Sequence, residues 1–141
     1  MKILVSACLL GTPCRYDGKS KPNENIIALK EKYELIPVCP ECLGGLKTPR
    51  LPAEIKGDKV IRIDGYDVTS NYQEGAQRTL EIAYENGIQI AILKSNSPSC
   101  SSKQIYDGTY TKKLIDGKGI TTRLLEKNNI KVVDENELGK L

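Results

Sequence analysis

Histidine is absent from this chain of 141 residues, and so are tryptophan and phenylalanine. Without histidine, no Ser-His-Asp triad, Cys-His pair or three-histidine zinc site can be assembled. Seven tyrosines supply the whole aromatic surface, a thin stock for stacking nucleic-acid bases. Long apolar runs are missing too, which excludes a membrane-spanning helix. The opening Met1–Leu10 has one lysine and a short apolar stretch but no small-residue cleavage site before a polar start. It reads as a buried first strand rather than a signal peptide, so the expected compartment is the cytoplasm. No strong charge excess is present either. The formal net charge is +3, from 21 basic and 18 acidic residues, which permits a tRNA-sized partner without demanding one. Lys19–Lys21 and Lys112-Lys113 read as solvated surface.

What is present is sulfur. An odd number of cysteines, five, in a cytosolic-looking chain argues against a disulfide framework and for metal binding or catalysis. The length, with 39% apolar and 28% charged residues, fits one soluble globular domain over residues 1–141.

Along the chain, Lys2–Val5 reads as a central buried strand, and the segment from Cys8 to Lys21 as a loop. Asn23 opens a helix with Ile26, Ile27, Leu29, Lys30 and Tyr33 on one face, and Glu34–Val38 is the second strand. Leu43–Pro52, with its Gly-Gly pair and two prolines, is a loop. Asp64-Gly65 between Lys59–Ile63 and Tyr66–Val68 signals a β-hairpin. Thr69 or Ser70 caps a long helix over about Tyr72–Asn86, ended by Asn86-Gly87. Gln89–Lys94 is the third strand and Ser95–Gly108 a loop. A helix from Gly119 to Lys127, a strand at Ile130–Val133 and a short helix at Asp134–Leu138 close the chain. This alternation predicts an α/β fold: a Rossmann-like parallel sheet flanked by helices, with a β-hairpin insertion.

In such a sheet, ligands bind in the crevice outside the carboxyl ends of the strands. Cys8, Cys39 and Cys100 each follow a strand-like run, so three thiols are delivered to that edge. Taken alone, Cys8 reads rather as a small buried residue, and the following loop with Arg15–Gly18 shifts the balance modestly toward function. Cys39 and Cys42 form a C-x-x-C, suited to a redox dithiol or half a zinc knuckle. No second C-x-x-C exists, and Gly44-Gly45 argues against the helix that a thioredoxin-like dithiol needs at its amino-terminal cysteine. The Ser-rich run Ser95–Ser102 around Cys100 offers backbone N–H groups for an anion or for sulfur. What remains is thiolate chemistry: a sulfur-ligated metal or a cysteine nucleophile.

Several segments together carry a resemblance: Val5–Gly11 with Arg15–Gly18, Cys39-Pro40-Glu41 with Gly45-Leu46 and Pro49-Arg50, Ser97–Cys100, Ile105–Gly108 and Gly117–Leu125. Over nearly its whole length the chain resembles the small bacterial and archaeal domain of the thiouracil desulfidase family. The resemblance implies a 4Fe-4S cluster held by Cys8, Cys39 and Cys100, with the fourth iron open. It leaves Cys14 and Cys42 outside the ligand set, and Cys14 is expected to point elsewhere. Longer relatives carry a further domain and some act on thiolated tRNA, so a small thiolated base is the expected substrate here.

An open iron is a Lewis acid, and a soft thiocarbonyl sulfur suits it. Water attack at the polarised carbon then gives hydrolytic, non-redox desulfuration of a thiouracil. Glu41, two residues from Cys39, is the candidate base or proton relay, with a structural carboxylate bonded to loop N–H groups or Arg50 as the equal alternative. Ser97 and Ser99 are candidates to orient substrate or bond to cluster sulfur, whereas Asp17 reads as a turn former. Two readings of other classes compete. One is an Fe–S- or Zn-binding interaction module without turnover. The other is a sulfurtransferase carrying a persulfide on Cys42 or Cys14.

Overall fold

The central strand shows why the sheet forms. In a computed structural model describing Met1–Leu141, Ile3, Leu4 and Val5 are all buried, and only a strand covered on both faces buries consecutive side chains. Alternation sorts them. Leu4 joins Ala91, Leu80 and Leu125 in one apolar cluster, while Ile3 and Val5 join Ile92, Ile26 and Leu9 in another. Each such fully buried aliphatic side chain contributes about 1.5–3 kcal/mol.

In chain order the elements are β1 (Lys2–Ser6), α1 (Glu24–Ile27), β2 (Glu34–Val38), α2 (Pro40–Leu43), β3 (Ala53–Lys56) and β4 (Lys59–Arg62). There follow α3 (Thr69–Glu85), β5 (Ile90–Ile92), β6 (Gln104–Tyr106), β7 (Leu114–Asp116), α4 (Ile120–Lys127) and β8 (Lys131–Val133). Short 3-10 turns occupy Ala7–Leu10, Ala28–Glu31 and Leu138–Lys140. The main sheet has four parallel strands in the order β2-β1-β5-β8. The chain leaves β1 toward one side for β2 and returns to the other side for β5. The carboxyl end of β1 is therefore the topological switch point, where ligands of open α/β sheets bind.

The expected parallel sheet flanked by helices is present, and Asn23 caps α1 as anticipated, its Oδ1 accepting from Asn25 N at 3.0 Å and Ile26 N at 3.2 Å. The end of α3 also matches: Gly87 N bonds Tyr84 O and Ile88 N bonds Ala83 O, closing a Schellman motif.

Other elements differ. The turn expected at Asp64-Gly65 forms, with Arg62 N bonding Tyr66 O at 2.8 Å, Val68 N bonding Val60 O at 3.0 Å and Ile61 bridging Asp67; unexpected is β3, which pairs with β4 through a second turn at Gly57-Asp58. Gly57 takes φ +63°, a turn conformation that Gly adopts freely. Helix α3 begins at Thr69 rather than Tyr72. Asp67 Oδ1 accepts from Thr69 N at 2.8 Å, while the Thr69 hydroxyl accepts from Val60 N at 2.9 Å. The expected loop beyond Ser95 contains β6, which pairs with β7 in a second hairpin. The closing turn lies at Leu138–Lys140 instead of Asp134–Leu138.

Helix α2 was not expected, because Gly44-Gly45 follows Cys42 at once. One turn forms nonetheless, with Cys39 at its N-cap and Pro40 at its first position. Its backbone lies directly on α3. A Cβ on Gly75 would stand 1.9 Å from Pro40 O, and one on Gly44 2.0 Å from Asn71 O. Ala at position 75 adds about 1 kcal/mol of helix propensity, but it must push two backbones apart. The overpacking costs about 3 kcal/mol or more and outweighs that gain. Gly75→Ala is therefore expected to lower the thermal midpoint by roughly 5–10 °C in a calorimetric melt.

Candidate functional site

The strand ends carry the cysteines to one place. Cys8 lies in the 3-10 turn after β1, Cys39 directly follows β2, and Cys100 lies in the loop after β5. All three line a single cleft of about 390 Å³ at the switch point. Ser6, the last residue of β1, ties that strand to the segment after β5. Its hydroxyl accepts from Lys94 N at 2.9 Å and donates to Cys100 Sγ at 3.7 Å.

Cys14 also lines this cleft, against the expectation that it points elsewhere. The 3-10 turn and Gly11, at φ +101°, fold the chain back, so Cys14 is buried in the same apolar cluster as Cys8. Cys39 packs against that cluster, and its Sγ lies 3.8 Å from Cys14 O. Cys42 is exposed, does not line the cleft, and sits 3.6 Å from Thr48 Oγ1.

The Cys100 loop is rigid. Ser97 Oγ accepts from Ser99 N and Cys100 N, both at 3.1 Å, and Ser101 N bonds Ser97 O. Three of the backbone N–H groups expected to point toward a ligand, those of Ser99, Cys100 and Ser101, are thus engaged within the loop, two of them by the Ser97 side chain. Behind the loop, Thr122 Oγ1 donates to Cys100 O at 2.7 Å, and Ser99 Oγ lies 3.1 Å from Thr121 Oγ1. Ser99 does not line the cleft; its contact is with Cys100 Sγ at 3.7 Å. Of the two duties expected of Ser99, contact with sulfur is open to it and contact with substrate is not.

Glu41 is held by its two oxygens in different ways. Arg50 Nε donates to Oε2 at 3.0 Å, and Arg50 Nη2 forms a short ion pair with the same oxygen. Oε1 receives only a long contact from Ser97 Oγ, at 3.5 Å. Arg50 is fixed in turn by Lys47 O and Thr48 Oγ1, each at 3.0 Å, and by Cys14 O at 3.1 Å. The Arg50 pair expected of a structural carboxylate is thus made through Oε2, and Oε1 is not engaged by Arg50.

The bare thiols are reluctant to ionise. Burial above all, and then the Glu41 charge, push Cys100 up to about 12. Cys14 is drawn down by its contact with Cys39, but the Cys8 contact and burial prevail and lift it to about 11. Contact with Cys14, then burial, raises Cys39 as well, and burial raises the exposed-edge Cys42. A bound metal, by contrast, deprotonates its thiols outright. No three Cys, Asp or Glu side chains converge closely enough for a single ion, whose tetrahedral sulfur ligands stand about 4 Å apart. Thiols arriving from three strand ends suit a larger soft group with separate attachment points.

Sequence reasoning missed three residues of this site. For Cys14 the signal was Gly11 and Pro13 between the two cysteines, which reverse the chain. Ser6 and Tyr72 had none. Tyr72, buried on α3, also lines the cleft, and burial together with the Glu41 charge raises its phenol well above the usual value.

Comparison with known proteins adds the following. A family model described as 2-thiouracil desulfurase matches residues 3–137. The Bacillus subtilis (strain 168) protein YbbK, described as uncharacterized, is 44% identical over 149 residues, spanning 99% of each chain. Among solved structures, the 4Fe-4S-dependent thiouracil desulfidase TudS matches with a TM-score of 0.95 and 44% identity, covering 99% of this chain and 94% of its own.

Proposed function

The chain belongs to the 2-thiouracil desulfurase family, and from that premise we propose that it converts a thiouracil to uracil by hydrolysis at a 4Fe-4S cluster. Cys8, Cys39 and Cys100 are the ligands, and one iron is left open. The observation that carries this reading is the convergence of three strand-end thiols and the Glu41 carboxylate on one cleft. The donor set fits: sulfur from three separate loops, the Ser6 hydroxyl donating to Cys100 Sγ, and no histidine or other geometry for a lone zinc. Such hydrogen bonds to sulfur are among the means by which proteins tune Fe–S centres.

When bound, the cluster supplies a soft Lewis acid that draws electron density from a thiocarbonyl. The protein supplies the rest. Tyr16, Tyr106 and Tyr110 line the cleft and offer aromatic walls to a planar base. Glu41 Oε1 faces the cleft beside Ser97 and takes the proton of the attacking water, while Arg50 keeps Oε2 fixed and the carboxylate aimed. The balance closes without an electron donor: C=S and water become C=O and hydrogen sulfide.

Anaerobic reconstitution with iron and sulfide should give a brown protein that releases sulfide and uracil in equal amounts from 2- or 4-thiouracil. No reductant should be needed. A colourless zinc protein, or turnover that stops when the reductant is withdrawn, overturns the reading.

A further inference from the structure

Two thiols have no part in this reaction, yet both adjoin Cys39. Cys14 is buried in the apolar cluster against which Cys39 packs, and the Cys39 thiol lies 3.8 Å from the Cys14 carbonyl oxygen. On the other side, Cys42 is exposed, one turn along α2 from Cys39. The row Cys14–Cys39–Cys42 thus runs from the core to the surface. A half-buried thiol in an open cleft, once stripped of metal, is oxidised by peroxide to a sulfenic acid. Further oxidation to sulfinic acid is irreversible unless a neighbouring thiol condenses first. The Cys14 and Cys39 thiols touch, which places Cys14 to do so. A disulfide that includes a buried sulfur is poorly reached by outside thiols, since exchange depends on access. Cys42 offers that access, at the C-x-x-C spacing where two thiols exchange readily.

We infer that Cys14 and Cys39 form a reversible disulfide in the metal-free chain, and that Cys42 is the thiol that opens it. In the forward direction, hydrogen peroxide converts the Cys39 thiol to a sulfenic acid and leaves as water. Cys14 sulfur then attacks, the S–S bond forms, and a second water departs. Two electrons and two thiol hydrogens have passed to peroxide, which ends as two waters. In reverse, the Cys42 thiolate attacks Cys39 sulfur, and Cys14 leaves as a thiolate and takes up a proton. An external dithiol then reduces the Cys39–Cys42 bond and is itself oxidised. The purpose of the device rests on the proposed role of Cys39 as a ligand, but its chemistry is tested without iron. Failure here therefore leaves the desulfidase reading standing, and the reverse also holds.

The full chain, prepared without iron, is treated with stoichiometric hydrogen peroxide, quenched in acid, alkylated and mapped without reduction. The wild type should keep three alkylatable thiols of its five, with Cys14 and Cys39 in one linked peptide. Dithiothreitol should restore all five. In Cys42→Ser the same link should form, but its reduction under native conditions should be about tenfold slower. In the double variant Cys14→Ser/Cys42→Ser, given at least two equivalents of peroxide, Cys39 should instead gain two oxygens, and iron loading after dithiothreitol should fall about fivefold or more. A wild-type map linking Cys39 directly to Cys42 with Cys14 free overturns the inference. So does a double variant that, after the same oxidation and reduction, reloads iron as fully as the wild type.

Discussion

Replacing Cys8, Cys39 or Cys100 by alanine is expected to leave a folded chain that retains little iron. Anaerobic reconstitution followed by iron and sulfide analysis should show each variant at least tenfold below wild type. The fold survives because a free cysteine behaves as a small apolar residue, so truncation costs about 1 kcal/mol in the partly buried sites. The metal does not survive, because the cluster needs one attachment point from each of three loops. Cys14 touches the Cys8 and Cys39 side chains but lies outside the loop after β5 that carries Cys100, and cannot stand in for it. Cys14→Ser and Cys42→Ser, reconstituted without exposure to oxidants, should load iron like the wild type. Retained iron in any one of the three alanine variants removes that residue from the ligand set.

Glu41→Gln is the second large effect. Loss of the general base should lower kcat by about two orders of magnitude, or about 2.7 kcal/mol of barrier, while the cluster absorption stays. Arg50 sharpens the test. Its guanidinium is largely buried against Glu41, and removing one partner of such a pair costs up to about 3–5 kcal/mol. Here the figure belongs at the low end, since Lys47 O, Thr48 Oγ1 and Cys14 O still accept from Arg50. A lower melting temperature with iron intact and turnover lost is the expected combination. Loss of iron along with activity makes Glu41 a structural tie for the Cys39 segment. Near-normal turnover assigns the proton transfer to water or to Ser97.

Where one physical signal dominated, the sequence could be read. Ile3-Leu4-Val5 can only be a strand buried on both faces, and Asn86-Gly87 can only end a helix in this context. The order of strands and helices followed, and with it the delivery of Cys8, Cys39 and Cys100 to one edge. Where two signals competed, the reading failed. Gly57-Asp58 and Asp64-Gly65 both make tight turns, but only the second was read; β3 joins β4 through packing of Ile55 and Val60 against Tyr72 and Ile105, which no local pattern reveals. The strands β6 and β7 are three residues each, too short for alternation to register. Helix α2 forms against Gly44-Gly45 because α3 presents Gly75 to it, a contact between residues distant in sequence. The same holds for the site. Glu41 and Cys39 were legible as neighbours in the chain, whereas Ser6 and Cys14 enter through backbone reversals.

The strand order has one more consequence, in time rather than space. β1 pairs with β2 nearby in sequence but also with β5 much later, so Cys8 and Cys39 emerge from the ribosome well before Cys100. At ordinary rates of synthesis the 61 residues from Cys39 to Cys100 (100 − 39) take roughly 3–12 s. On the proposed ligand set, the third thiol is missing throughout that interval. The cluster can then be completed only once β5 has docked beside β1 and brought Cys100 to the edge.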